Sequence, residues 1–175
     1  VLSYVAMRKD DKAGLVTFNE HFDTFVPASK QVGQMQTLLE NLYKQETTFG
    51  ETDFSALCVH LGKHVNKRSF LILYTNFSNM TSLNRQLVYL QQLARQHRVL
   101  VVFFEDADLK EYIAGKPETT EGYYQHVIAE KFAFEKRLIV STLKQHGIYS
   151  LLTTPDKLSI DVINKYLEMK SRQLL

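Results

Sequence analysis

Three acidic residues follow directly on an apolar run in the middle of the chain. Glu105, Asp106 and Asp108 come after Val99–Phe104, whose sequence VLVVFF predicts a strand buried on both faces of a parallel sheet. Carboxylates at the carboxyl end of such a strand are placed to bind a cation or to transfer a proton. The alternative is a solvated loop whose carboxylates cap the next helix.

Two histidines and one cysteine are the other residues whose types could do chemistry. His60 and His64 share one face of a predicted helix, but the LGK between them lacks the Glu of a zinc-protease helix. They therefore predict a solvated or loosely packed pair. Cys58 is the only cysteine, which precludes an internal disulfide, and its apolar helical surroundings predict a buried thiol and not a nucleophile.

Composition excludes several classes of function. The formal net charge is +2 and no basic block concentrates it, so nucleic acid is not an expected partner. The seven glycines form neither GxxxxGK[ST] nor GxGxxG, and the Gly-x-Ser-x-Gly elbow of hydrolases is absent from the sequence. No apolar run reaches the roughly 18 residues that cross a bilayer, so we expect the chain as given to be soluble.

Strands and helices alternate in the order typical of an α/β fold. The predicted strands are Leu15–Phe18, Thr24–Val26, Phe70–Tyr74, Val99–Phe104 and Ile148–Leu152. The predicted helices are Val1–Arg8, Val32–Tyr43, Phe54–Val65, Leu83–Gln96, Glu121–His146 and Ser159–Leu174, with Ala107–Thr120 irregular. Pro27 should end the second strand at an antiparallel edge. We expect one domain, residues 1–175, with a doubly wound, mostly parallel sheet.

Helical spacing also predicts which side chains face the core. The second helix has Val32, Met35, Leu38, Leu39 and Leu42 at helical spacing, and the last helix should direct Ile160, Ile163, Leu167 and Leu174 inward. Four aromatic residues of the long helix, Tyr123, Tyr124, Phe132 and Phe134, should pack in the core. If they are exposed instead, they form a groove for a partner.

Several segments, taken together with their order along the chain, resemble those of a known protein family. They are DDKAGLVTF, FVPAS, GETDFSAL, LILYTNFS, LARQHRVLVVFFED and the tail VINKYLEMKSRQLL. This order resembles the bacterial DUF58 family (domain of unknown function 58), whose members are built on a von Willebrand factor type A-like, Rossmann-like domain. The resemblance covers nearly the whole chain, and INKYLEMK is its most specific part.

The resemblance also implies a degenerate metal site. In type A domains Mg²⁺ or Ca²⁺ is held by an Asp-x-Ser-x-Ser loop, a Thr from a second loop and an Asp from a third. Thr52 matches the second-loop Thr, whereas Asn76 stands where the third-loop Asp is expected and removes one negative charge. The Asp-x-Ser-x-Ser loop would precede Val1, so we expect no cofactor unless an upstream segment completes a Mg²⁺ site. Alternatively, Thr52 and Asp53 cap the following helix.

The function that the resemblance implies is protein binding. Family members are typically membrane-anchored by N-terminal helices and encoded beside MoxR-type AAA ATPases. The resemblance therefore implies an interaction or assembly module that works with such an ATPase at the cytoplasmic face of the inner membrane. We expect no catalytic residues, and we expect a partner to bind at Asn19, Thr52, Asp53, Asn76 and Asp106. One alternative is a metal-dependent hydrolase that uses the acidic cluster after Val99–Phe104. Another is a purely structural domain.

The strand order of type A domains, 3-2-1-4-5-6, carries one more expectation. A strand that precedes Val1 would lie between Leu15–Phe18 and Phe70–Tyr74, and an empty slot there would leave buried backbone groups unpaired at about 1–3 kcal/mol each. We expect the slot to be closed by upstream residues, by a strand from another copy, or by direct pairing of the two flanking strands.

Overall fold

The chain forms two compact units, and each mixes helices with strands. The computed structural model describes residues 1–19, 22–46, 52–77, 79–105, 107–115, 117 and 119–175. One unit is Val1–Lys67 and the other is Arg68–Leu175. The predicted α/β class is confirmed, with a two-stranded antiparallel sheet in the first unit and a three-stranded parallel sheet in the second.

The first unit is a β-hairpin with three helices. Its elements are α1 (Leu2–Arg8), β1 (Ala13–Phe18), β2 (Phe22–Ser29), α2 (Gln34–Tyr43) and α3 (Phe54–His64). The two strands pair antiparallel, as predicted, because a short connection makes consecutive strands neighbours. Ala13, Val26 and Leu38 form a small buried cluster between the hairpin and α2.

Strand β2 does not end at Pro27, which corrects the predicted boundary. The pairing with β1 shifts register between Ala13 and Leu15, opposite this part of β2, and an irregular position tolerates a residue that has no backbone N–H to donate. Gly14 lies at the same point, where an added Cβ would stand 2.7 Å from the carbonyl oxygen of Val26. A larger residue there would force the two strands apart.

The second unit is built on a parallel sheet with the strand order β3-β4-β5. Its elements are β3 (Phe70–Tyr74), α4 (Met80–Gln96), β4 (Arg98–Phe104), α5 (Ala107–Ala114), α6 (Thr120–Gln145), β5 (Tyr149–Thr153) and α7 (Leu158–Ser171). The parallel pairing of these three strands confirms the prediction. Residues 99–103 of the central strand are buried, as the run VLVVFF indicates. Helix α6 ends before Gly147, which takes a left-handed conformation with φ 71°.

The pairing of β1 confirms one expectation and bears on another. The strands at residues 15–18 and 24–26 were expected to form an antiparallel hairpin, and β1 pairs antiparallel with β2. Of the three ways to close the slot beside β1, direct pairing with the strand at residues 70–74 is not found among the described strands, where β1 pairs with β2 and β3 with β4. Closure by upstream residues or by another copy stays a prediction, as does a parallel orientation of β1 relative to β3.

Burial on β3 and on two helices differs from the prediction. Only Leu73 of β3 is buried, because β3 has one neighbouring strand among the described residues. Val32 precedes α2 and is fully exposed, and of the apolar residues expected on one face of α2 Leu38 is buried, whereas Leu39 and Leu42 are exposed. On α7, Ile160 and Leu167 are exposed, whereas the buried side chains are Val162, Tyr166 and Met169. Both helices carry apolar residues on several sides, so spacing alone did not identify the packed face.

Two further findings concern the helices. The segment predicted to be irregular, residues 107–120, contains α5 and the first residue of α6. Within the described residues, no helix combines the length and the hydrophobicity that are needed to span a membrane.

Candidate functional site

Asp53 caps helix α3, as one reading of the sequence predicted. Its carboxylate oxygen Oδ1 accepts hydrogen bonds from the backbone N–H groups of Ser55 (2.7 Å) and Ala56 (3.0 Å). These amides lie in the first turn and have no partner within the helix, so the carboxylate satisfies two donors at once.

Burial, and secondarily the charge of Asp53, raises the pKa of the Cys58 thiol to about 11. The thiol is therefore protonated at neutral pH, which agrees with a structural role.

Three of the five residues predicted to bind a partner lie together in the first unit. The backbone N–H of Asp53 donates to the carbonyl oxygen of Asn19, just after β1, at 2.7 Å. Thr52 is the adjacent residue and is partly buried. The structure therefore fixes the end of β1 to the start of α3 through a backbone contact, and the side chain of Asp53 is engaged in capping.

Asn76 lies at the carboxyl end of the parallel sheet, where it is hydrogen-bonded to a lysine. The backbone N–H of Thr75 donates to the carbonyl oxygen of Val102 at 3.0 Å, so the β3–β4 pairing extends one residue beyond Tyr74. Asn76 follows and is exposed. Its amide oxygen Oδ1 accepts a hydrogen bond of 2.7 Å from Nζ of Lys136.

Lys136 comes from α6 and makes three contacts at this edge of the sheet. Besides Asn76, its ammonium donates to the carbonyl oxygen of Phe77 at 2.8 Å, and it lies 5.6 Å from the ring centroid of Phe103, which is completely buried in β4. Burial lowers the pKa of Lys136. In the part of the chain that the structure describes, no carboxylate lies within ion-pair distance of this ammonium. Its charge is therefore balanced only by neutral oxygens and an aromatic face.

The acidic cluster after β4 is only partly visible. Asp106, a predicted partner-binding residue, lies outside the described residues, and Asp108 belongs to α5. The backbone N–H of Glu105 donates to the carbonyl oxygen of Thr153 at 2.9 Å and extends the β4–β5 pairing. Among the described side chains, no group of three His, Cys, Asp or Glu residues is arranged to hold a metal ion. The hydrolase alternative, which relies on this cluster, stays a prediction.

Strand β5 also ends in a polar contact. The hydroxyl of Thr153 is buried and donates to Oδ2 of Asp161 in α7 at 2.5 Å. This bond fixes the first turn of α7 to the carboxyl end of the strand. Asp161 lies in that first turn, where a carboxylate also interacts favourably with the positive end of the helix.

The two histidines of α3 pack against the hairpin. The ring centroids of His60 and His64 are 4.1 Å apart, and both rings lie against Phe25 of β2 at 5.1 Å and 5.4 Å. Burial lowers the pKa of His60, and the neighbouring charges of His64 and Lys63 lower it further. The pair is therefore part of the packing between α3 and β2, in line with the loosely packed pair that was one of the two predicted forms.

The aromatic residues of α6 do not lie in the core, which corrects that prediction. Tyr123, Tyr124, Phe132 and Phe134 are each between 50% and 70% exposed. The buried residues of α6 are instead Ala129, Ile139 and Leu143. A shallow groove of about 480 Å³ includes Phe134. The exposure that a partner groove requires is present, although nothing in the structure shows what would cover it.

Sequence reasoning did not find Lys136. It is 60 residues from Asn76 in the sequence, and no motif links the two. The segment KFAFEKRL, which contains Lys136, mixes charged with aromatic and apolar residues. A lysine in such a segment is equally typical of a solvated helix face, so its partner could be known only from the fold.

Comparison with known proteins gives one family. A family model described as "Protein of unknown function DUF58" matches residues 1–115. No curated protein and no solved structure matches the chain at a significant level.

Proposed function

The chain belongs to the DUF58 family of proteins of unknown function, whose model matches more than half of it, and from this premise we propose that it is a protein–protein interaction or assembly module. The module would work in a membrane-associated complex, at the cytoplasmic face of the inner membrane, with a MoxR-type AAA ATPase as partner. The location and the partner follow from the family resemblance.

The observation that carries the proposal is the contact between Lys136 and the residues that follow β3. Asn76 and Phe77 offer neutral oxygens to one ammonium, and this arrangement fixes a polar surface at the carboxyl edge of the sheet. A catalytic centre needs an acid, a base or a nucleophile directed at one reacting atom. A binding surface needs only polar groups that are held in place, which is what these contacts provide.

The same contact supports binding of the partner without a divalent cation. The amide oxygen of Asn76, at the position where a type A domain supplies a metal-site carboxylate, already accepts a hydrogen bond from Lys136. Mg²⁺ at this position would lie beside an ammonium and would gain no carboxylate from Asn76. We therefore propose that Asn76 takes no part in a metal-dependent adhesion site.

We also propose that the chain has the fold of a von Willebrand factor type A-like domain. The parallel strands β3-β4-β5, with helices in the connections, correspond to the second half of a von Willebrand factor type A-like sheet. The antiparallel pair β1 and β2 corresponds to the edge of such a sheet. Both correspondences support a type A-like domain.

Direct binding measurements test the function. The purified chain would be titrated with the purified MoxR-type AAA ATPase of the same genome, and we expect a Kd on the order of micromolar. Asn76→Ala removes the acceptor of Lys136 and should weaken binding at least about tenfold. Val88→Ser, an equally simple change at an exposed apolar position of α4, should leave the affinity unchanged. Absence of binding at about 100 µM, or equal binding by Asn76→Ala, would contradict the proposal.

A further inference from the structure

Among the residues that the structure describes, none places a negative charge within ion-pair distance of the Lys136 ammonium. It has three N–H donors, and the described contacts use two of them, on the amide oxygen of Asn76 and the carbonyl oxygen of Phe77. Both acceptors are uncharged. A partly buried cation whose described partners are neutral is under-compensated, and burial lowers the pKa of Lys136. An incoming anion would therefore be stabilised at this position.

The position of Lys136 is one where ligands reach an α/β sheet. Asn76 and Phe77 follow β3 directly, and Phe103 is the second-last residue of β4, so the ammonium lies at the carboxyl edge of two neighbouring parallel strands. Open parallel sheets bind their ligands at this edge.

We propose that Lys136 recognises a carboxylate, the side chain of an Asp or Glu in an acidic segment of the protein partner. This inference rests on the proposed function and names the chemistry of the partner. A carboxylate brings one negative charge and fits one ammonium. A phosphate group brings nearly two charges and is usually held by several arginines or by a series of backbone N–H groups, and the chain has no glycine-rich phosphate loop.

The contacts of Lys136 also prepare it for binding. A lysine side chain ordinarily loses several freely rotating bonds when it is fixed in a complex. Here the two hydrogen bonds and the face of Phe103 already hold the ammonium before a ligand arrives. The entropy that the Lys136 side chain loses on binding is therefore small. The low dielectric near the buried ring of Phe103 strengthens the ion pair between the ammonium and an incoming carboxylate.

Nuclear magnetic resonance titration of the labelled chain tests the proposal with three probes. They are the peptides acetyl-Gly-Asp-Gly-amide and acetyl-Gly-Asn-Gly-amide, and inorganic phosphate. We expect the Asp peptide to shift the side-chain amide signal of Asn76 with a Kd on the order of millimolar. The Asn peptide should bind at least about tenfold more weakly, and phosphate should bind no more tightly than the Asp peptide.

Variants assign the effect to Lys136. Lys136→Gln keeps a hydrogen-bond donor without charge and should lose at least about tenfold in affinity for the Asp peptide, whereas Lys136→Arg should stay within about threefold of the wild type. Lys131→Met is the matched control, since it removes an exposed lysine of the same helix and should change nothing. Equal shifts with the Asp and Asn peptides on the wild type, tighter binding of phosphate, or unchanged binding by Lys136→Gln would overturn the proposal. The peptide comparison on the wild type needs no variant to fold.

The outcomes separate this inference from the proposed function. If the ATPase binds the wild type and Lys136→Gln equally, the inference is wrong and the interaction module stands. If the Asp peptide binds through Lys136 while the ATPase does not bind at all, the carboxylate site stands and the proposed partner is wrong.

Discussion

Replacing Asn76 by Asp converts the contact with Lys136 from a hydrogen bond to a neutral amide into an ion pair. The donor and acceptor are 2.7 Å apart, so the carboxylate needs no rearrangement to meet the ammonium. Exposed ion pairs contribute about 0.2–1 kcal/mol, and Asn76 is exposed while Lys136 is partly buried. We expect Asn76→Asp to raise the free energy of unfolding by about 0.5–1 kcal/mol at pH 7.

The gain should depend on pH in a defined direction. An ammonium beside the new carboxyl holds the folded-state pKa of that carboxyl below its unfolded value of about 3.9. The stabilisation is then complete above about pH 5 and is lost as pH falls through the folded-state pKa. The wild type lacks this titrating group, so the difference between the two curves isolates the contribution.

Urea denaturation of four proteins provides the assay. They are the wild type, Asn76→Asp, Lys136→Met and the double variant, compared at pH 7 and at pH 3. With an m-value of about 2 kcal/mol per molar urea, the expected gain moves the midpoint by about 0.25–0.5 M. Asn76→Asp should give no gain in the Lys136→Met background, because the cation is gone. If Asn76→Asp raised the free energy of unfolding equally in the wild type and in Lys136→Met, or lowered it at pH 7, the side chains of residues 76 and 136 would not interact as described.

Three further predictions follow from described contacts. Val101→Ala in the buried centre of β4 should cost about 2–4 kcal/mol of unfolding free energy, whereas Val88→Ala on the exposed face of α4 should cost less than about 0.5 kcal/mol. If chemical denaturation gave equal losses for the two variants, the conclusion that β4 is buried would be wrong. Asp53→Ala removes the cap of α3 and should cost about 0.5–2 kcal/mol, while Asp53→Asn should recover most of it; a neutral effect of Asp53→Ala would rule out the capping role. Burial lowers the pKa of His97, so the unfolded chain binds a proton that the folded chain does not as pH falls below about 6.5, and stability should decrease toward acid. Between pH 7 and pH 5, the melting temperature should fall less for His97→Gln than for the wild type. For the control His146→Gln, it should fall as much as for the wild type.

Local signals predicted the parts of this fold that depend on neighbouring residues. The run VLVVFF indicates a buried strand because every residue favours burial and an extended backbone. The segment ETDF places a capping carboxylate at a helix start, and Asp53 has that role. Gly147 ends α6 in the left-handed conformation that glycine adopts without steric cost. Each of these depends on a few consecutive residues.

Features that depend on distant residues could not be predicted in the same way. Lys136 and Asn76 meet because α6 packs beside the end of β3, and the sequence contains no local sign of that packing. Pro27 indicates the end of a strand by its own chemistry, but the irregular pairing near Gly14 accommodates it. Helix α7 buries Val162, Tyr166 and Met169. Ile160 and Leu167 are apolar residues elsewhere on the same helix, so helical spacing alone did not show which face is buried.

The measurement that tests the central claim most directly is the affinity of the chain for the nucleotide-free MoxR-type ATPase in the presence of EDTA. If the carboxyl edge of the sheet binds its partner through fixed polar groups and the ammonium of Lys136, a Kd on the order of micromolar should persist in EDTA. It should weaken at least about tenfold in Asn76→Ala and in Lys136→Gln. Absence of binding, or binding that appears only with Mg²⁺ and disappears in Thr52→Ala, would contradict the account.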